Sequence, residues 1–171
     1  MAPDPERVPL YRRAVRVLPI SPTGQVLLLH CVNPGVPAEP YWMTVGGGIE
    51  AGEDERAAAV RELWEETAMV LAPAALVGPL HEEVVEFCWA EYDIVQHQSY
   101  WLAAVTDTTV SFDHLEQIEV DTTLGYRWWT LEELRTTTER LLPNQVAVIE
   151  SALHGLARGG IAYFDHGLLG Q

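Results

Sequence analysis

There is no lysine in this chain; all ten of its basic residues are arginine. That absence excludes mechanisms built on a lysine amine, whether a Schiff-base nucleophile or the phosphate-cradling lysine of a P-loop. Cysteine is nearly absent as well. Cys31 and Cys88 stand alone, without a C-x-x-C pair or a nearby histidine pattern, which argues against a zinc site or a disulfide framework and makes each a core residue. Long apolar runs are missing: Val26 to Leu29 and Ile94 to Val95 break at polar residues, far short of the roughly 18 needed to span a bilayer. No membrane partner is predicted. Met1 to Pro9 lack the apolar core of a secretory signal, so the cytoplasm is the simplest compartment. Positive charge is scarce too, with ten basic against 25 acidic residues and a formal net charge of −15. Such a surface repels the DNA or RNA backbone, which predicts no nucleic-acid polymer as partner. It leaves a small phosphate ligand open, because divalent cations held by carboxylates reverse the local field.

What is present is an ordinary globular composition. The 171 residues, 48% of them hydrophobic, suffice for one domain over 1–171 with a core that needs no disulfide or structural metal. Tyr11 to Ile20 and Gln25 to Val32 read as strands joined into a hairpin by Ser21-Pro22-Thr23-Gly24. Asn33 to Pro40 holds three prolines and a glycine and reads as an exposed irregular loop, followed by a short strand at Tyr41 to Val45. After Gly46-Gly47-Gly48 a helix is predicted from about Asp54 to Thr67. Glu83 to Tyr92 and Gln98 to Val105 are rich in β-branched and aromatic residues and read as antiparallel strands. Arg127 to Thr130 reads as a last short strand. Thr130-Leu131-Glu132-Glu133 is a capping-box pattern that opens one helix, and Pro143 suits the first turn of another reaching about Arg158.

The chemistry concentrates between Gly47 and Met69. Glu62, Glu65 and Glu66 are related as i, i+3 and i+4, so a helix brings all three carboxylates onto one face. Val60, Trp64 and Ala57 project from the opposite side and are expected to pack on the sheet. Like charges at this spacing destabilise a helix unless solvent screens them or a cation sits among them. Magnesium is usually held by a few carboxylates together with water and substrate phosphate, which suits such a face. A glutamate-rich helix segment alone is most often a solvated surface. The preceding residues change that reading.

Tyr41-Trp42-Met43-Thr44-Val45-Gly46-Gly47-Gly48-Ile49-Glu50-Ala51-Gly52-Glu53, then Arg61-Glu62-Leu63-Trp64-Glu65-Glu66-Thr67 at the proper spacing, resembles the box of the Nudix hydrolases. The resemblance implies an α/β fold, a Nudix-type α/β/α sandwich around a mixed, mainly antiparallel sheet. It also implies metal-dependent hydrolysis of the pyrophosphate linkage of a nucleoside diphosphate joined to another moiety, with Mg2+, or Mn2+ in its place, as cofactor and a small nucleotide-type substrate. Family members are often homodimers. By resemblance Glu62, Glu65 and Glu66 are metal ligands, with Glu62 nearest the attacking water and the Gly47 carbonyl joining the metal shell. Glu53 and Arg61 form a supporting ion pair.

The box departs from the family at Ala68, where glycine normally ends the helix, and at Val45, which replaces a common proline. Left-handed backbone costs alanine on the order of 1 kcal/mol, so the helix is expected to run on or to end differently. Arg127-Trp128-Trp129 followed by Leu131-Glu132-Glu133-Leu134 resembles the family's last strand and the helix after it. Members often recruit one more glutamate from the loop before that strand, as base or ligand; Glu116 and Glu119 are the candidates, and Glu119 is preferred. Arg12 and Arg16 share strand parity, and the family places arginines there against substrate phosphates. A surface ion pair is the other reading for Arg16. His30, His81 and His97 fit no ligand pattern, and Tyr41 and Trp42 read as core. The family's ADP-ribose marker, a proline about fifteen residues past the box, is missing, with Val84 and Val85 in that region. Two rival functions remain, a catalytically silent nucleotide sensor of the same fold and an acidic interaction domain.

Overall fold

The computed structural model describes residues 6–157. Six strands, β1 (Val8–Ile20), β2 (Val26–Asn33), β3 (Val36–Thr44), β4 (Val77–Trp89), β5 (Tyr92–Ala104) and β6 (Thr123–Trp129), form one mixed sheet. Helix α1 (Glu55–Thr67) lies in the first half of the chain, and α2 (Gln117–Thr122), α3 (Leu131–Thr136) and α4 (Gln145–Ala157) in the second. The sheet runs β3-β2-β1-β5-β4, with β6 on β2. All its pairings are antiparallel except β1 with β5.

Alternation builds a core on each face. Val15, Val17, Leu27 and Leu29 turn to one side and pack with Ala58, Ala59 and Leu63 of α1. Leu18, Val26 and Leu28 turn to the other and meet Leu134 of α3 and Val148, Ile149 and Ala152 of α4. Helices on both faces of a mixed sheet are the expected sandwich.

Several local expectations need correction. The turn at residues 21–24 forms, with the Ser21 N–H donating to Gln25 O at 2.8 Å, but β1 and β2 pair only at Ile20 and Val26 and then part. The long ladder of β1 runs parallel to β5, from Val8 beside Tyr92 to Ile20 beside Ala104. No local turn signal announces a partner so distant in sequence. Asn33 to Pro40 is exposed as expected, yet the irregular part ends before Val36, where β3 starts. Pro37 and Pro40 are tolerated because β3 lies at the sheet edge, where a missing N–H breaks no ladder. The Glu83 to Tyr92 segment is divided by a turn at Ala90, which adopts φ 50°. Pro143 precedes α4 rather than opening it, and Arg158 lies outside the described residues.

The inner face of α1 also differs. Trp64 is 41% exposed and Ala57 faces solvent, while Ala58, Ala59 and Leu63 make the sheet contact and Val60 packs at its margin. Small alanines let the helix approach β1 closely, which a tryptophan there would prevent. The helix ends at Thr67 in the way a glycine would end it. Ala68 takes φ 61°, ψ 11°, and its N–H caps the Trp64 carbonyl. Ala68→Gly should relieve that left-handed strain of about 1 kcal/mol, raising Tm by roughly 2–4 °C for a domain of this size. A lower Tm in a thermal melt would show the alanine is unstrained.

Candidate active site

Asp54 starts α1 by accepting the Ala57 N–H at 2.8 Å, and the loop before it is fastened to β1. The Val17 N–H donates to Val45 O at 2.7 Å and the Val15 N–H to Gly47 O at 3.0 Å. Gly46 lies so near β1 that a Cβ would stand 2.1 Å from Val15 O, and its φ of 133° also favours glycine. Gly47 is constrained from the other side, since a Cβ there would meet Glu62 Oε1 at 2.7 Å. The glycines thus open the space that the glutamates of α1 fill.

Arg61 ties loop to helix. Its Nε and one terminal nitrogen grip both oxygens of Glu53 at 2.8 and 2.9 Å, the pairing the resemblance implied. The same guanidinium donates to Gly48 O at 2.9 Å, to Glu62 Oε1 at 2.9 Å and to Glu65 Oε2 at 3.0 Å. On the far side of the cluster the Gly46 N–H donates to Glu66 Oε2 at 2.7 Å.

Glu62, Glu66 and Glu119 converge, each offering an oxygen within 4.8 Å of the others. Glu65 does not join them and stays with Arg61. Glu119 reaches the cluster from α2, a short helix where the sequence suggested a loop; its carboxylate accepts the Glu116 N–H at 2.8 Å. Glu116 itself is exposed and outside the cluster. The Gly47 carbonyl is engaged by Val15. Arg16 is buried rather than in a surface ion pair. Its side chain donates to Gly46 O at 3.0 Å and to Gln98 Oε1 at 3.2 Å.

Burial raises the Glu62 carboxyl to about 7, against the lowering pull of Arg61, with Glu65 and Glu119 adding to the rise. Glu66 is pushed well above the carboxylate range by burial first and Glu62 second, and burial raises Glu119 too. Burial opposes ionisation of all three crowded acids, and positive charge among them would favour it. Hard oxygen donors at this separation fit a divalent cation, so the residues present suit the metal that the fold family uses.

Residues that sequence reasoning missed lie on β5. Gln96 and Gln98 are buried beside Arg12 and Arg16; their parity matches that of the arginines, but the β1–β5 pairing that makes this meaningful was hidden. Cys31 is buried as expected and Cys88 half-buried. His30 stacks on Trp42 at 4.3 Å, His81 lies 3.5 Å from Glu83, and His97 is exposed.

The family model of the NUDIX domain matches residues 10–150. A protein named RNA pyrophosphohydrolase from Roseobacter denitrificans is 38% identical over 84 residues, 49% of this chain and 47% of that protein. The chain spans about half the length of the curated relatives it matches. Among solved structures, the E. coli dihydroneopterin triphosphate pyrophosphohydrolase has a TM-score of 0.63 at 19% identity, covering 85% of this chain and 99% of that one. The NUDIX domain of Shewanella oneidensis NrtR, complexed with ADP ribose, has a TM-score of 0.63 at 18% identity, covering 91% of this chain and 94% of that one. At such identities the structures establish the shared fold. Among the described residues no helix is long and apolar enough to cross a membrane.

The raised carboxyls give a stability signature. Glu62 titrates near 4.5 when unfolded and about 7 when folded, so the folded state binds more protons between those values. Its contribution is full below the unfolded value and lost as pH rises through the folded one. Tm in EDTA should therefore fall from pH 5 to pH 7.5, and a divalent cation should raise Tm more at pH 7.5 than at pH 5. A Tm in EDTA that is flat or rising across that window would contradict the buried-acid assignment.

Proposed function

The chain belongs to the NUDIX domain family, and from that premise we propose that it hydrolyses the pyrophosphate linkage of a nucleoside diphosphate joined to another moiety. The single observation that carries the reading is the convergence of Glu62, Glu66 and Glu119 beside the Glu53–Arg61 pair. The favoured cofactor is Mg2+, with Mn2+ as a substitute; when bound, such an ion polarises phosphate oxygens and lowers the pKa of water. Glu62 and Glu66 would hold it with Glu119, and the resemblance adds Glu65 and the Gly47 carbonyl to that set.

Glu62 is the proposed proton acceptor for the attacking water. It is buried and its oxygen is oriented by Arg61 at 2.9 Å, the fixed placement that general base catalysis requires. Glu119 contributes a third carboxylate from a separate element. Arg16, held at Gly46 O, takes substrate phosphate oxygens.

A second reading concerns the substrate. The name RNA pyrophosphohydrolase carried by relatives favours RNA as the substrate, whereas the net charge of −15 favours a small nucleotide. Complete box carboxylates speak for turnover over a silent sensor. With Mg2+, a panel of nucleotide sugars, ADP-ribose, dinucleoside polyphosphates, nucleoside triphosphates and a 5′-triphosphorylated oligoribonucleotide separates these readings. At least one compound should be cleaved, and excess EDTA should abolish cleavage. Glu62→Gln should lower kcat by at least ~100-fold and alter KM less, since the proton is accepted only on the way to the transition state. Tight nucleotide binding without hydrolysis of any panel member would hand the chain to the sensor reading.

A further inference from the structure

Arg12 and Arg16 lie four residues apart on β1 and so point to the same face. Arg16 is 7% exposed, and the Arg12 side chain is part-buried. The chain carries 25 acids, yet among the described residues neither arginine forms an ion pair. Each is met by a neutral amide instead. Arg12 Nε donates to Gln96 Oε1 at 2.6 Å and Arg16 Nε to Gln98 Oε1 at 3.2 Å.

The amides are linked. Gln96 Nε2 donates to Gln98 Oε1 at 2.7 Å, and Gln98 Nε2 donates to Glu83 Oε1 at 2.7 Å and to Tyr100 Oη at 3.1 Å. Arginine only donates, so each glutamine must turn its oxygen toward β1 and its nitrogen away. Register explains the fit: Gln96 stands opposite Arg12, and Gln98 opposite Ala14, whose small side chain leaves Gln98 room to reach Arg16. Gln96 is fully buried and Gln98 7% exposed. A buried carboxylate in either place would pair with the guanidinium and neutralise it. An amide holds the same geometry without a contacting counter-charge; Glu62 acts on Arg12 and Glu66 on Arg16 only through space, so both guanidiniums keep donors for an incoming anion. Glu83, the acid of the network, stands one amide away from Arg16.

We propose that Gln96 and Gln98 are positioning residues that hold Arg12 and Arg16, without a contacting carboxylate, for the phosphoryl oxygens of the substrate. The proposal rests on the anhydride-hydrolase reading, but its test does not depend on turnover. Inorganic pyrophosphate is titrated calorimetrically into the full chain in EDTA, where no metal ion bridges it to the glutamates. Wild type should bind. Gln96→Leu and Gln98→Leu should each weaken pyrophosphate by about tenfold or more, as expected for loss of a charge-assisted hydrogen bond, and Mn2+ affinity measured separately should hold. In turnover the same variants should raise KM and leave kcat nearly unchanged. Gln98→Glu discriminates further, since it keeps an acceptor for Arg16 but supplies the counter-charge and should also lose pyrophosphate. Unchanged pyrophosphate affinity in a folded Leu variant, an equal loss of Mn2+ affinity, or wild-type affinity in Gln98→Glu overturns the proposal. Should Gln98→Leu fail to fold, Gln96→Leu carries the same expectation alone. Wild type that hydrolyses the panel but binds no pyrophosphate also overturns it, and leaves the hydrolase reading intact. Wild type that binds pyrophosphate in this variant-sensitive way but cleaves nothing upholds the seat and overturns the hydrolase reading instead.

Discussion

The guanidinium of Arg61 is the fastening on which the rest of the site depends. It joins Glu53 of the loop, the Gly48 carbonyl, and Glu62 and Glu65 of α1 in one set of short contacts. A glycine-rich loop has little of its own to hold a conformation, because each glycine loses more chain freedom on ordering than other residues do. The bidentate grip on Glu53 supplies what the loop lacks. It also sets the rotamer of Glu62, whose carboxylate lies against Gly47 where any larger residue would clash. Side-chain-free backbone and a strongly anchored cation are therefore two halves of one design.

Charge is distributed in an unusual way for an interior. Carboxylates gather around Arg61, and the arginines of β1 have neutral amides as hydrogen-bond partners and face Glu62 and Glu66 only through space. Both arrangements are unfavourable in an empty protein, since buried groups of like sign repel and desolvation opposes their ionisation. They become compatible when a cation and an anion enter together.

How much of this was legible in the sequence depends on the distance over which each feature is determined. The span of α1 and the Thr130–Glu133 capping box are local, and each appears where its spacing placed it; the Glu53–Arg61 pair, implied by the resemblance, is present too. The parallel ladder between β1 and β5 joins residues more than eighty positions apart, and nothing in the turn at Ser21 reveals it. Gln98 therefore reads as an ordinary strand residue, and Gln96 falls in the gap between the two predicted strands, until the β1–β5 pairing is known. Glu119 was a candidate by resemblance, but its meeting with Glu62 and Glu66 depends on the path of the chain after β5. The choice of Trp64 as a core contact failed for another reason. Helix spacing sets the buried face opposite the carboxylates, whereas close approach of α1 to the sheet selects Ala58 and Ala59, and Glu62 and Glu66 are themselves buried.

Gly46 touches both charge systems at once. Its N–H points to Glu66 and its carbonyl receives Arg16, while its position is fixed by close approach to Val15. The acid and the arginine thus share one stretch of main chain, and its place is set by the bonds of its neighbours Val45 and Gly47 to β1 rather than by either charge. A side chain at this position would displace the acceptor of one charged group and the donor of the other in a single substitution.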